Sequence, residues 1–426
     1  RVVAVLVLVA ALTAAPTSPR PARQWLNVGC GTCSRRAASF TPTFAASFTA
    51  ASRSAAVYLR LVPVFDVLVI LGLQESSTHP QVVRDFRPRS PGPMIGKRRY
   101  WPSAYQTNTF FGGPGMADMI RDVVQLTGQL GCQALIVPGP LAIQVDDTWL
   151  GITRELARGA VAANSGLPVY LTVALGWEPM RSLDAVQDVL EELRVLDLQG
   201  VYLLAEHPNG QCLVNDPVWL SNLVELVAGL RLQGKQVLVG YSSHQQLCLA
   251  AAGANTIASG TYMNVRAFSP DRFVAAQEEE IRRKTTWYYA PTTLSEFKVP
   301  SLDMAHRGGL LAQMKPPASF GMTYCTPLFQ GLQPTSVGFG EQDAFRHYLD
   351  CLRHQTLASR AATFDDTIAL HRRMLDDAES ELDALAQSGV LPGARSFSDA
   401  LDAVRAALAS LVGTRGPALR RHWANL

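Results

Sequence analysis

The fold class expected from the sequence is α/β: a (β/α)8 TIM-like barrel with a C-terminal helical extension and a poorly ordered N-terminal segment. Three observations predict it. Beyond Tyr58, short β-rich runs alternate with helical stretches, the pattern of a parallel α/β architecture. Most of those runs are continuously apolar, as strands buried on both faces are. No GxGxxG or GxxxxGK[ST] turn is present, although a doubly wound open sheet ordinarily carries one after its first strand.

Taken in order, residues 1–57 form the N-terminal extension. Val2 to Ala15 is a mostly apolar run after Arg1, too short to span a bilayer. It has the form of a signal-peptide core with Thr13, Ala14 and Ala15 as small residues, but Pro16 is a poor cleavage context. From Pro16 to about Ala56 the chain is rich in Ala, Ser, Thr, Arg and Pro without a sustained period, which predicts poor order. Cys30-Gly31-Thr32-Cys33 lies inside it, and no second CxxC or histidine pair completes a zinc or redox site there.

The barrel is placed at residues 58–330. Its eight strands are expected at Val62–Leu73, Ala134–Pro138, Val169–Leu175, Val201–Leu204, Val237–Tyr241, Thr256–Ser259, Thr286–Tyr289 and Phe320–Tyr324. Phe110 to Gly115 reads as a glycine-rich loop closing onto a helix at Met116–Leu130. Asp216-Pro217 places a capping carboxylate before a first-turn proline, and Val218, Leu220, Leu223, Val224, Val227 and Leu230 give that helix its apolar face. Ser269-Pro270-Asp271 opens another helix, and Ser182 with Asp184 a third. Residues 331–426 form the helical extension: Phe364, Ile368, Leu375, Ala378, Leu382 and Leu385 line one helix face, and Leu401, Val404, Leu408 and Leu411 another, with Gly389 to Gly393 as the turn.

Composition excludes several functions. Of 426 residues 48% are apolar and 17% charged, with a mean hydropathy of +0.08, so the chain as a whole is not disordered. Lys and Arg number 38 against 35 acidic residues, a net charge of +3, which is no electrostatic footprint for a long nucleic acid. Seven scattered cysteines make no disulfide scaffold and favour a reducing, cytoplasmic compartment, with secretion as the alternative if Val2–Ala15 is a signal core.

In a barrel, chemistry sits at the C-terminal ends of the strands. That rule selects Trp177 and Glu178, Glu206 and His207, Tyr241 to His244, and Ser259, Thr261, Asn264 and Arg266. Glu206 beside His207 is the most suggestive pair, since a carboxylate and an imidazole leaving an apolar strand can act as general acid and base. Only one of two adjacent strand residues can face inward. Glu206, His207 and His244 are the candidate catalytic residues; Trp177, Tyr241, Ser259, Thr261, Asn264 and Arg266 are the candidate substrate-binding ones. No HExxH or comparable ligand spacing is present, so neither metal nor cofactor is expected. Retaining glycoside hydrolysis would need a second carboxylate about 5 Å from the first, and Glu296 is the one near the seventh strand.

Val239-Gly240-Tyr241 through Leu249, followed by Ala251 to Ile257, resembles the stretch of tRNA-guanine transglycosylases in which a glycine-bearing strand leads through a helix to the strand carrying the nucleophile. His347 to His354 and Ile368 to Met374 look like that family's post-barrel helices. Two departures stand out. Ala258 lies closest to the position of the family's nucleophilic aspartate, and the CxCxxC-plus-histidine zinc motif is missing. The resemblance implies a TIM barrel acting on a nucleobase, nucleoside or glycosidic ligand, with RNA as a partner only through that resemblance. No membrane partner is expected. The alternative is a catalytically silent barrel that binds a small ligand or a partner protein.

Overall fold

The computed structural model describes residues 114–163, 166–260, 263–270, 285–320 and 322–426, and the backbone of 66–69. The N-terminal extension, its CxxC pair, most of the Phe110–Gly115 loop, Thr261 and the helix expected after Pro270 lie outside the described residues.

The chain is a mixed α/β protein built on a parallel sheet. Its strands are β1 (Asp66–Val69), β2 (Leu135–Val137), β3 (Leu141–Ala142), β4 (Val169–Leu175), β5 (Gly200–Ala205), β6 (Gln236–Val239) and β7 (Thr256–Ser259). The sheet order is β1-β7-β6-β5-β4-β2, with β3 also pairing β4, and every ladder is parallel. From β4 to β7, consecutive strands are sheet neighbours, so the chain winds in one direction across the sheet. β1, first in the sequence, lies beside β7 at the edge opposite β2.

Two of the eight expected strands are not part of this sheet. The run at Thr286–Tyr289 does form a strand, β8 (Trp287–Ala290), but it folds back antiparallel on β9 (Ser295–Lys298) through a four-residue turn in which Leu294 is left-handed (φ 51°). No described residue of Phe320–Tyr324 is in a strand. A 3₁₀ turn occupies Ala318–Phe320 after Pro316-Pro317, and another occupies Thr326–Phe329. Short apolar runs do not reveal their backbone state, and Gly321 together with the prolines favours turns. The fifth expected strand, Val237–Tyr241, stops at Val239, for a reason given below.

The crossovers are helical: α1 (Pro114–Gln129), α2 (Asp147–Ala163), the short α3 (Trp177–Arg181), α4 (Leu183–Arg194) and α5 (Pro217–Leu232), with a nine-residue 3₁₀ segment at His244–Ala252 between β6 and β7. After the β8–β9 hairpin come α6 (Val299–Arg307), α7 (Glu341–Ala358), α8 (Phe364–Gln387), α9 (Ser398–Thr414) and α10 (Gly416–His422). Asp216 caps α5 as its sequence requires, its side chain accepting from Val218 N (2.8 Å) and Trp219 N (3.0 Å). Val218 itself, counted on the apolar face, is 46% exposed at the start of the helix.

The rest of α5 is buried nearly all round, because α9 covers the side turned away from the sheet. Glu225 of α5 is satisfied by Arg415 Nε (2.6 Å) and Thr414 Oγ1 (3.0 Å) at the end of α9. The apolar stripes of α8 and α9 are buried as their periodicity predicts. Much of both stripes joins the same core as the helix-covered face of the sheet.

Candidate functional site

The strand period separates two faces. Val201, Leu203 and Ala205 of β5 join the main core under the helices, with Val237, Val239 and Ile257 from neighbouring strands. Tyr202 and Leu204 point the other way, into a second cluster with Ala174, Leu238, Tyr241, Ala258 and Phe268. One more residue of alternation carries Glu206 onto this aromatic face and His207 onto the helix-covered one.

Glu206 is half-buried at the C-terminal end of β5. Its N–H donates to Leu175 O (2.9 Å), and its backbone pairs with Phe268 in a parallel bridge. Its Oε2 accepts the Trp177 N–H at 2.8 Å. Gly176 lies beside it, and a Cβ there would stand 2.8 Å from Ala142 O and 3.3 Å from Glu206 Oε2, so the missing side chain makes room for the carboxylate.

His207 is buried against Trp219, ring centroids 5.2 Å apart. The Phe268 N–H donates to its Nδ1 (3.2 Å), and its own N–H donates to Phe268 O (2.8 Å). The same Nδ1 lies 3.1 Å from Ala205 O, an acceptor, so its two contacts favour opposite tautomers of the neutral ring. The indole Nε1 of Trp219 donates to Glu206 O at 2.9 Å. His207 and Trp219 thus fix the backbone from which Glu206 projects.

β6 ends early because Tyr241 adopts φ 55°, a left-handed conformation that a bulky residue rarely holds. The kink sends Ser242 N to Ala258 O (2.8 Å) and leaves the Tyr241 ring 5.4 Å from that of Phe268. Gly240, just before it, lies under the Tyr202 side chain. A Cβ there would collide with the Tyr202 ring and hydroxyl and stand 2.6 Å from Leu204 Cδ2. Gly240→Ala is expected to lower stability by about 1–3 kcal/mol through overpacking, measured by urea denaturation. An unchanged midpoint would show that the Tyr202 ring yields freely.

The remaining candidates gather elsewhere. Ser243 caps the 3₁₀ segment with a reciprocal capping box to Gln246. His244, 2% exposed, is walled in by the rings of Tyr289, Tyr348 and Phe397. Burial holds its pKa down at about 4, with Glu296 opposing and Arg266 reinforcing that effect. The Arg266 guanidinium lies 3.4 Å from the centroid of the Tyr348 ring, donates from Nε to Gly260 O (3.2 Å) and from Nη1 to Glu296 Oε1 (3.1 Å). Arg395 Nη1 reaches the other oxygen, Glu296 Oε2, at 2.7 Å. Glu296, the second carboxylate considered for glycoside chemistry, is therefore the counter-ion of two arginines. The Cys212 thiol shares this environment; burial raises its pKa to about 11 against the pull of Arg266.

The sequence-selected residues thus divide into two groups. Glu206 and Tyr241 lie on the aromatic face, Trp177 touches Glu206 through its backbone N–H while its side chain packs on the main core, and His207 braces the strand end from behind. His244 and Arg266 belong to the Tyr348–Glu296 network, and none of the described contacts joins His244 to Glu206. Ser259 is buried and shares the strand phase of Ile257, toward the helices. The Asn264 backbone lies in a 3₁₀ turn at Met263–Val265, and Thr261 is outside the described residues. Glu178 is exposed.

Sequence reasoning missed Tyr202, Gly176, Gly240 and Phe268. A signal for three of them was present: counted in steps of two, Ala174, Gly176, Gly240 and Ala258 are small residues on the phase of Glu206, and Tyr202 is the large one. Among the described residues no group of three or more His, Cys, Asp or Glu side chains is placed to hold a metal ion, and no helix is long and apolar enough to cross a membrane. No protein-family model matches the chain, and no curated protein or solved structure matches it either.

Proposed function

We propose that the chain is an enzyme acting on a nucleobase, nucleoside or related glycosidic ligand at the C-terminal edge of its parallel sheet, with Glu206 as the acid–base residue. The singly wound sheet is read as the wall of a (β/α)8 barrel, whose chemistry belongs at that edge. One observation carries the reading. Glu206 is the carboxylate that the β5 phase sets on the sheet face lined by Tyr202, Tyr241 and Phe268, where it is half-buried and oriented by the Trp177 N–H. Aromatic walls suit a planar or sugar-bearing ligand, and an oriented carboxyl suits proton transfer.

The resemblance to tRNA-guanine transglycosylases supports the same class of substrate, while Ala258, where that family has its aspartate, favours a route without a covalent enzyme intermediate. In that route the Glu206 carboxyl gives its proton to the leaving base or oxygen, and the glycosidic bond breaks with its electron pair on the leaving group. Water then adds to the anomeric carbon and returns a proton to the carboxylate. His207 acts through its grip on Phe268, and His244 and Arg266 act by holding the loops beyond β6 and β7.

Glu206→Gln is the test. Turnover of nucleosides is expected to fall about 10²–10⁴-fold while equilibrium binding of the same ligand changes little. Equal loss of binding and turnover would show that the carboxylate holds substrate and does no proton transfer. Binding without turnover by the wild-type protein would favour the catalytically silent barrel.

A further inference from the structure

The aromatic face contains a polar group that the fold itself does not use. Tyr202 is 2% exposed, and its hydroxyl has no hydrogen-bond partner among the described residues. Buried hydroxyls are nearly always paired, so one that is not needs a reason. Packing alone does not supply it, because phenylalanine would fill the same space without stranding an oxygen.

The position of Tyr202 is specific. It stands four residues before Glu206 on the same face of β5, with Leu204 between them, in register with Thr172 of β4 and Leu238 of β6. One layer further toward Glu206, the residues on that face are Ala174, Leu204, Gly240 and Ala258, three of them small. The Tyr202 side chain leans into this layer over Gly240, which brings its hydroxyl toward the end of the sheet that carries the carboxylate. Burial, then the nearby Tyr241, raises its pKa well above the ordinary phenol value, so it remains a donor at neutral pH.

We infer that the Tyr202 hydroxyl is a specificity determinant of the Glu206 site, donating a hydrogen bond to an acceptor atom, a ring carbonyl oxygen, of the bound nucleobase. This rests on the reading of the site as one for nucleobase-bearing ligands. Because the hydroxyl is closed from solvent, a neighbouring side chain must swing aside to admit the ligand. Tyr241, 8% exposed and held at a strained backbone angle, is the most exposed of the three aromatic side chains in the cluster. A site that hydrogen-bonds one ligand atom discriminates strongly against analogues lacking it.

The experiment is calorimetric titration of wild-type protein and Tyr202→Phe with free guanine, hypoxanthine and uracil, alongside thermal melts with and without base. Tyr202→Phe is expected to bind the preferred base about tenfold more weakly, the worth of one hydrogen bond. Its unliganded melting temperature should be no lower than that of the wild type. Binding changed by less than threefold overturns the inference and leaves the role of Glu206 standing. An unliganded melt lowered by several degrees also overturns it, since the hydroxyl would then have a structural partner. Failure of the wild-type protein to bind any of the three bases overturns both the inference and the reading on which it rests.

Discussion

Glu296→Ala is expected to lower folding stability by about 3–5 kcal/mol, measured by guanidinium denaturation. Glu296 is 5% exposed and Arg266 1%, so deleting the carboxylate removes an opposite charge from beside a guanidinium that water barely reaches. Arg395, a quarter exposed in its side chain, can rehydrate and loses less. Stacking on Tyr348 does not replace an opposite charge. The paired replacement Arg266→Met with Glu296→Leu should recover most of the loss, because a buried ion pair costs much of its attraction in desolvation. A single-variant loss under about 1 kcal/mol would mean that water enters the network. This cluster ties the loop after β7 to the β8–β9 hairpin, to α7 and to the turn before α9, so its loss should also loosen the edge of the sheet near Glu206.

Acid should unfold the protein across a window set by three buried histidines. His244, His347 and His371 each have a pKa lowered from 6.5 to about 4, in every case first by burial. Their neighbours accommodate neutral rings. His347 Nε2 donates to Tyr289 O (2.8 Å) while the ring stacks on Tyr288, His371 Nε2 donates to Ser359 O (2.9 Å), and His244 is enclosed by aromatic rings. As pH falls, the unfolded chain takes up these protons before the folded one does. Their contribution is therefore complete above about pH 6.5 and is lost progressively toward pH 4. Each histidine adds up to about 1.4 kcal/mol per pH unit to the slope, so the three together reach ~4 kcal/mol per unit. His371→Gln, far from the proposed site, should remove about a third of that slope in pH-dependent urea titrations. A flat stability profile between pH 6.5 and 4.5 would show that the rings are solvated in the folded state.

The readings of sequence and structure part company at identifiable places. The strand β5 was legible because the run Val201–Leu204 is apolar at every position, and two-sided burial is the property that such runs record. The caps at Asp216 and Ser182 were legible because they act within four residues. Thr286–Tyr289 was legible as a strand, but its partner was not, since hydrogen-bonding direction depends on which chain segment returns to it. Phe320–Tyr324 has the composition of a strand, whereas its described residues are in turns or irregular backbone, and local propensity does not weigh the two prolines against the packing that surrounds them.

The candidate site divides in the same way. The sequence by itself determined that Glu206 ends an apolar strand and that Glu206 and His207 must face opposite sides; both follow from covalent order and the two-residue period of a strand. Which of the pair meets the aromatic face, the pairing of Glu296 with arginines 30 residues before and 99 residues after it, and the stranded hydroxyl of Tyr202 were decided only by the tertiary structure. Burial and long-range pairing are properties of the assembled packing, and no residue carries them before its neighbours arrive.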